Sequence, residues 1–311
     1  MSHLRSLLLF ATLLLLPALA CAQGAREKKP IAVATTAMVG DVVRAVAGDT
    51  VDVRVLIGAG VDPHLYTPTR DDVALLMQAK FVFHNGLLLE GRMGDTLRRL
   101  GKSRKVVAIA EAVPEETILH DAASHHPDPH LWMDAKAWGT TAAPVAAALA
   151  AEFPGRKEQY EARAAEYAAR MAALDNWARE AIATIPAGRR VLVTAHDAFR
   201  YFSRAYGIEV HGIQGISTES EAGLRDLNRL VDMLVERKIP AIFVESTVAD
   251  RNVRALVEGA AAKGHAVALG GTLFSDAMGP SGTPEGTYPG MIRHNVATIV
   301  KALGGTLPPV P

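Results

Sequence analysis

The tetrapeptide Asp-Pro-His-Leu occurs twice in this chain, in "VDPHLYTPTR" at residues 61–70 and in "PDPHLWMDAK" at residues 127–136. Each copy sets an imidazole, His64 or His130, behind an Asp-Pro pair and ahead of an aromatic residue. Proline locks its own φ and pushes the preceding aspartate out of the helical region, so each histidine sits on a stiff turn that limits wandering of its ring. A third imidazole, His196, closes the apolar run "VLVTAH", and a carboxylate, Asp276, follows the run "AVALGG" in "GGTLFSDAMG". Three neutral imidazoles and one carboxylate suit the inner shell of a transition-metal ion, Zn2+ or Mn2+. One Asp-Pro-His turn is a common loop sequence; its recurrence, with His196 and Asp276 at comparable points, carries the reading.

The other histidines read differently. His84, ending "FVFHNG", is expected to be a hydrogen-bonded neighbour, and His211, His265 and His294 to be surface or satisfied core residues. His120, His125 and His126 fall in "LHDAASHHPDPH", a polar loop that could also capture metal transiently near the site. Glu245, ending "AIFVES", is the residue best placed to orient a ligand from behind. Because metal-bound imidazoles must be unprotonated, affinity is expected to weaken as the pH falls through ~6.5, the ordinary histidine value. No catalytic residue is read. A zinc-dependent hydrolase would need an open position for water and a nearby base, and neither an HExxH pair nor a Gly-x-Ser-x-Gly elbow is present. That hydrolase, and a surface adhesin stabilised by metal, are the competing functions.

Positioning these residues requires strands that end near one another. Eight short β-type runs fall into two groups of four: "IAVATT", "VDVRVLI", "FVFHNG" and "KVVAIA", then "VLVTAH", "EVHGIQG", "AIFVES" and "AVALGG". Several are almost continuously apolar and are followed by helical patterns such as "DDVALLMQA" and "RDLNRLVDMLVERK", which indicates parallel sheets covered on both faces. The expected fold class is α/β with two lobes, each a four-stranded, mainly parallel sheet flanked by helices. Between the groups, Tyr160, Tyr167, Met171, Leu174, Trp177, Ala181 and Ile185 recur at helical spacing between Pro154 and Pro186. A single rigid helix of about 45 Å is implied at 1.5 Å per residue. The boundaries follow: a lobe over 23–153, a connecting helix over 154–186 and a lobe over 187–311. All four metal-ligand candidates then lie beyond carboxyl ends of strands, two from each lobe, where open α/β sheets place ligands. Thr67 with Pro68, Asp134 and Asp197 are the expected starts of the helices that follow His64, His130 and His196.

Composition narrows the partners. Lys plus Arg (33) balances Asp plus Glu (33), and no basic block stands out, so neither nucleic acid nor an anionic membrane surface is an expected partner. A monomer is expected. Residues 1–22, with Arg5, an apolar run from Leu7 and small residues ending in Ala-Cys-Ala, read as a cleaved export signal and place the protein in the periplasm. The run is shorter than the ~20 residues of a span and is interrupted by Pro17. Cys21 is the single cysteine, so no intrachain disulfide forms. "ALAC" partly matches a lipoprotein box, and anchoring through an acylated Cys21 is the alternative to a soluble product.

The chain resembles the metal receptors of bacterial ABC importers, the TroA/ZnuA-type solute-binding proteins. The similarity rests on "ATTAMVGDVVRAVAGD", "DPHLYTPT", "HNGLLLEG", "DPHLWMD", "TAHDAFRYFSRAYG", "IQGISTESEAG", "AIFVES" and "GGTLFSDAMGPSGTPEGTYPGMIRHN", in that order over essentially the whole mature chain. The resemblance implies two α/β lobes joined by a rigid helix, a metal ion held between them and delivery to a membrane permease. By motif match, His64, His130, His196 and Asp276 take the ligand roles. Some manganese receptors of this family carry glutamate where His196 stands; a third imidazole here favours zinc, with manganese next. Zinc-specialised members often carry a long His- and Asp-rich insertion, and this chain has only the short "HDAASHHPDPH".

Overall fold

The structure is a computed structural model that describes residues 28–122 and 124–310; the expected export signal and Cys21 lie outside the described residues. The first group of strands forms one sheet: β1 (Ile31–Ala34), β2 (Asp52–Val55), β3 (Phe81–His84) and β4 (Lys105–Ala108), in the order β2-β1-β3-β4. Every pairing is parallel, with Ile31 opposite Asp52, Ala32 opposite Phe81 and Phe81 opposite Lys105. The helices α1 (Ala37–Ala47), α2 (Arg70–Gln78) and α3 (Gly94–Leu100) connect these strands. The crossovers leave the central strand β3 covered on both faces, which its sequence Phe-Val-Phe allows.

The second group comprises β5 (Val191–His196), β6 (Glu209–Gln214), β7 (Ala241–Glu245) and β8 (Ala268–Leu273). These strands also pair in parallel, but as two hydrogen-bonded couples, β5 with β6 and β7 with β8, with β5 lying alongside β7. Between them run α7 (Arg200–Tyr206), α8 (Leu224–Glu236) and α9 (Arg251–Ala262), and α10 (Tyr288–Ala302) closes the set. In α8, Leu230, Val231 and Leu234 are buried on one side while its charged residues face outward, so the helix covers the sheet with a single apolar stripe.

The long helix α6 (Lys157–Ala183) joins the two halves over 27 residues, about 40 Å at 1.5 Å per residue. Pro154–Arg156 forms a 3-10 turn ahead of it, so the α-helix proper is shorter than the interval between the two prolines. Its buried face runs through Tyr160, Ala164, Tyr167, Met171, Leu174, Trp177, Ala178, Ala181 and Ile182. The first part of that face meets α1, α4 (Ala135–Gly139) and α5 (Ala142–Glu152); the later part meets α7 and α10. Tyr160 donates to Thr50 at 3.1 Å, Tyr167 to Asp41 at 3.3 Å and the Trp177 indole to the Pro308 carbonyl at 3.3 Å. Gly139 permits the closest approach, because a Cβ there would stand 2.9 Å from that of Met171. Trp138 and Tyr288, one from each half, stack at 6.0 Å within a continuous buried cluster. Removing either ring would cost about 3–5 kcal/mol, the range for emptying an aromatic site in a packed core. The two halves therefore share one core behind the site and do not swing on a slack linker.

Candidate metal centre

Each of the four residues reaches the centre by a different local device. His196 is the last residue of β5, whose six residues are all buried. Its neighbour in space is Gly212 on β6, where a side chain would meet the Asp197 backbone nitrogen at 2.5 Å, so only glycine lets the strands close up beneath the histidine. Asp276 lies three residues past β8. His64 and His130 stand on their Asp-Pro turns in the loops after β2 and β4, and in each the aspartate Oδ1 accepts the histidine backbone N–H, at 2.8 Å for Asp62 and 3.1 Å for Asp128. The helix after His130 starts at Asp134, which accepts from Ala137 as expected. The helix after His64 starts later than Thr67-Pro68 implies: Thr69 is the cap and forms a reciprocal capping box with Asp72, which Tyr66 also engages at 2.6 Å. Asp197 does not cap α7; that helix begins at Arg200 with no side-chain cap, and the Asp197 carboxylate lies 3.9 Å from the Arg200 guanidinium.

The four side chains converge. His130 Nε2 lies 3.4 Å from both His64 Nε2 and His196 Nε2. Asp276 Oδ2 is 3.1 Å from His196 Nε2 and 3.6 Å from His64 Nε2, while Oδ1 is 3.4 Å from His130 Nε2. All four donors lie within 4.8 Å of one another. An ion bonded at about 2.0–2.1 Å to four tetrahedral donors sets neighbouring donors roughly 3.3–3.4 Å apart, and the observed separations bracket that value. Neither oxygen of Asp276 makes a hydrogen bond of good geometry, although both are fully buried. A buried carboxylate left this way is costly unless a cation meets it, so the donor set fits a metal ion. Because both oxygens face imidazoles, the carboxylate can also bind through both, which accommodates higher coordination.

Carboxylates behind the rings fix two of the three imidazoles. Glu245 accepts from the His196 backbone N–H at 2.9 Å and meets its Nδ1 at 2.5 Å. Asp128 Oδ1 meets His130 Nδ1 at 2.8 Å. Each pairing turns the Nε2 atom toward the centre and raises the basicity of the ring. Burial works against the charged form of His130, but Asp128 and Asp276 outweigh it and raise its pKa to about 9. For His196, too, burial is outweighed, by the charges of Asp276 and Glu245, and its pKa stands well above the ordinary value. Burial would raise the Asp276 carboxyl, yet the charges of His196 and His130 hold it well below the usual range. His64 differs: burial dominates and pushes it down to about 4. Without metal, the surroundings thus favour the charged form of His130 and His196 and the neutral form of His64. A divalent ion that displaces the proton from each charged ring leaves the total charge of the site unchanged.

The other described histidines stay outside the cluster. His84 pairs with Glu90 at 3.5 Å, and Glu90 in turn accepts from Thr35 and from the Asn85 and Gly86 backbone. His211 meets Glu209, His265 the Ile239 carbonyl and His294 the Thr272 carbonyl. His120 bridges in antiparallel fashion to Pro127, so the His loop is closed on itself, and its carbonyl accepts from Arg200 at 2.9 Å. A cavity of about 430 Å³ lies outside the cluster, walled by Leu87–Leu89, His126, Pro129 and Gly215–Ser217 and floored by His64.

Three contributors were not readable from the sequence as site residues. Asp128 was visible only as part of a stiff turn. Trp132, the aromatic after the second Asp-Pro-His-Leu, packs edge-on against His130 at 5.2 Å and donates to the Ser275 carbonyl at 2.7 Å, tying the first half to the residue beside Asp276. Arg200 joins Asp128 at 3.4 Å to the His120 carbonyl. The recurring aromatic was the available signal for Trp132; Arg200 had none.

A family model described as "ZnuA: Zinc-uptake complex component A periplasmic" matches residues 32–302. The manganese-binding lipoprotein MntA of Bacillus subtilis is 46% identical over 270 residues, covering 87% of this chain and 88% of that protein. The zinc-binding protein TroA of Treponema pallidum is also 46% identical, over 279 residues and 90% of each chain. The solved structure of that periplasmic zinc-binding protein superposes with a TM-score of 0.85, covering 88% of this chain and 99% of that one.

Proposed function

This chain belongs to the ZnuA family of metal-uptake solute-binding proteins, and from that premise we propose that His64, His130, His196 and Asp276 are the ligands of one divalent cation carried as cargo. The protein is an extracytoplasmic substrate-binding component of zinc or manganese import, from a family of binding proteins and not of enzymes. The observation that carries the ligand assignment is the closeness of the donors, five separations of 3.1–3.6 Å and all four donors within 4.8 Å, among groups drawn equally from both halves of the molecule. Residues 23–153 and 187–311 act as the two lobes and 154–186 as their connector. Capture needs no covalent chemistry: the ion sheds water, displaces two protons and is enclosed, and a partner permease of an ABC importer then disturbs the ligand geometry to release it.

Zinc is the preferred ion and manganese the second. Three imidazoles and near-tetrahedral spacing support zinc; the two-oxygen face of Asp276 supports manganese as competitor. Relatives of equal identity are named for each metal, so the donor chemistry decides the preference. Titration of metal-free protein with each ion, followed by competition between them, tests both statements. One equivalent should bind, zinc more tightly, and Asp276→Ala should abolish it; retention of full affinity in that variant would overturn the assignment. A metal that served only structure, as in an adhesin, would unfold the protein on removal, whereas the continuous core behind the site predicts a cooperative fold without the ion. The chain is proposed to be a periplasmic monomer released by cleavage after Ala22. Mass spectrometry of the exported protein distinguishes this from acylation at Cys21.

A further inference from the structure

Ion exchange has to break the enclosure somewhere, and the three imidazoles are not equally held. His130 and His196 are each braced from behind by a carboxylate at Nδ1. Among the described residues no partner holds His64 Nδ1. His64 is also the single cluster member on the wall of the 430 Å³ cavity, and it is 4% exposed where the other three are 0–1%. The facing wall comes from the other half of the molecule, the stretch between β6 and α8, which contains neither helix nor strand. That stretch is fastened to the His64 turn by one short bond, Thr218 Oγ1 donating to Asp62 Oδ2 at 2.6 Å. The same carboxylate, through Oδ1, accepts the His64 backbone N–H. Nearby, Arg92 and Glu219 approach only to 4.0 Å, and both are more than half exposed, so that pair adds little.

We propose that the ion enters and leaves past His64, and that Thr218 is a positioning residue that sets the rate by latching the second half onto the turn that carries this ligand. Releasing the Thr218 hydroxyl frees one oxygen of Asp62 and lets the wall of the cavity withdraw. The His64 ring, with no carboxylate behind it, can then rotate out while His130 and His196 keep hold of the ion. The proposal rests on His64 being a ligand, and it concerns the path and rate of exchange at that same site.

The test is stopped-flow exchange of Zn2+ in the exported protein, with association followed by a chromophoric indicator and release followed by transfer to excess chelator. Thr218→Val should speed release roughly tenfold, the scale for losing one hydrogen bond to a carboxylate. It should also speed association by a similar factor, so that the equilibrium affinity moves about threefold at most. Thr218→Ser, which keeps the hydroxyl, should restore the native rates. General damage to the ligand set would accelerate release without accelerating capture, and that pattern would overturn the proposal, as would unchanged rates in Thr218→Val. A native protein that bound no zinc would remove the ligand assignment and the proposal together. Binding with an unaltered exchange rate in the variant would remove the proposal alone.

Discussion

The two Asp-Pro-His-Leu turns are the same four residues put to different uses. In the second copy, one oxygen of Asp128 serves both the backbone and the ring of His130, and Arg200 and the Asn85 amide brace the same stretch. In the first copy, Asp62 serves only the backbone of His64 and turns its other oxygen to Thr218 across the cleft. The second turn is a fixed pedestal, and the first is a joint between the halves. The difference does not lie in the tetrapeptide. The fold brings Arg200 and Tyr201, 72 and 73 residues from Asp128, and Trp132 around one copy and leaves the other at the edge of a cavity.

This contrast orders the expected losses. Among the histidine and bracing variants, His130→Ala should have the largest effect, lowering zinc affinity by about a thousandfold or more, because it removes the proposed ligand at the centre of the cluster and leaves Asp128 buried without its partner. His64→Ala should cost less; competition against a calibrated chelator measures both, and equal losses would erase the distinction between pedestal and joint. Next comes Asp128→Asn, expected to weaken binding about 10–100-fold, the usual range for a residue that orients a metal-bound histidine.

Acidity sharpens the comparison further. The surroundings raise the pKa of His130 to about 9 and hold that of His196 well above the ordinary value, while burial lowers that of His64 to about 4. Protons compete for the same Nε2 atoms as the metal, so affinity should fall as the pH drops from about 9 towards 6, with release of about two protons per ion near neutrality. The onset is thus well above the ordinary histidine value of ~6.5 that the sequence implied. Calorimetry in buffers of different ionisation enthalpy counts the protons; a count of zero at neutral pH would show that the two braced imidazoles are neutral without metal. In Asp128→Asn the count should drop, since the carboxylate that favours the charged ring is gone. The smallest change is expected for His196→Glu, which exchanges an imidazole for an oxygen donor. It should shift the zinc-to-manganese affinity ratio by roughly tenfold towards manganese. An unchanged ratio in direct competition would mean that this side chain does not touch the ion.

Much of this arrangement was legible before any coordinates. The apolar runs that became β1 to β8 are short and bounded by turn residues, and each maps onto an observed strand within a few positions. The apolar face of α6 was visible because helical periodicity is a local property. The helix starts were less legible. Thr67-Pro68 and Asp197 carry good capping chemistry, but Tyr66 and Asp72 draw the first helix start to Thr69, and the Arg200 guanidinium takes up the Asp197 carboxylate. Caps depend on which partner wins, and more than one was available.

By itself the sequence determined the four candidate donors, the stiff turns under two of them, the parallel α/β construction and the long connector, because each follows from residue type and near-neighbour spacing. Tertiary structure alone decided which carboxylate stands behind which ring, which imidazoles are pushed towards the charged form and which face of the cluster meets the cavity. Those properties depend on burial and on partners such as Glu245, 49 residues from His196, and Thr218, 156 residues from Asp62. A hydrogen bond acts over about 3 Å of space whatever the chain distance, so only the folded path of the backbone can assign it.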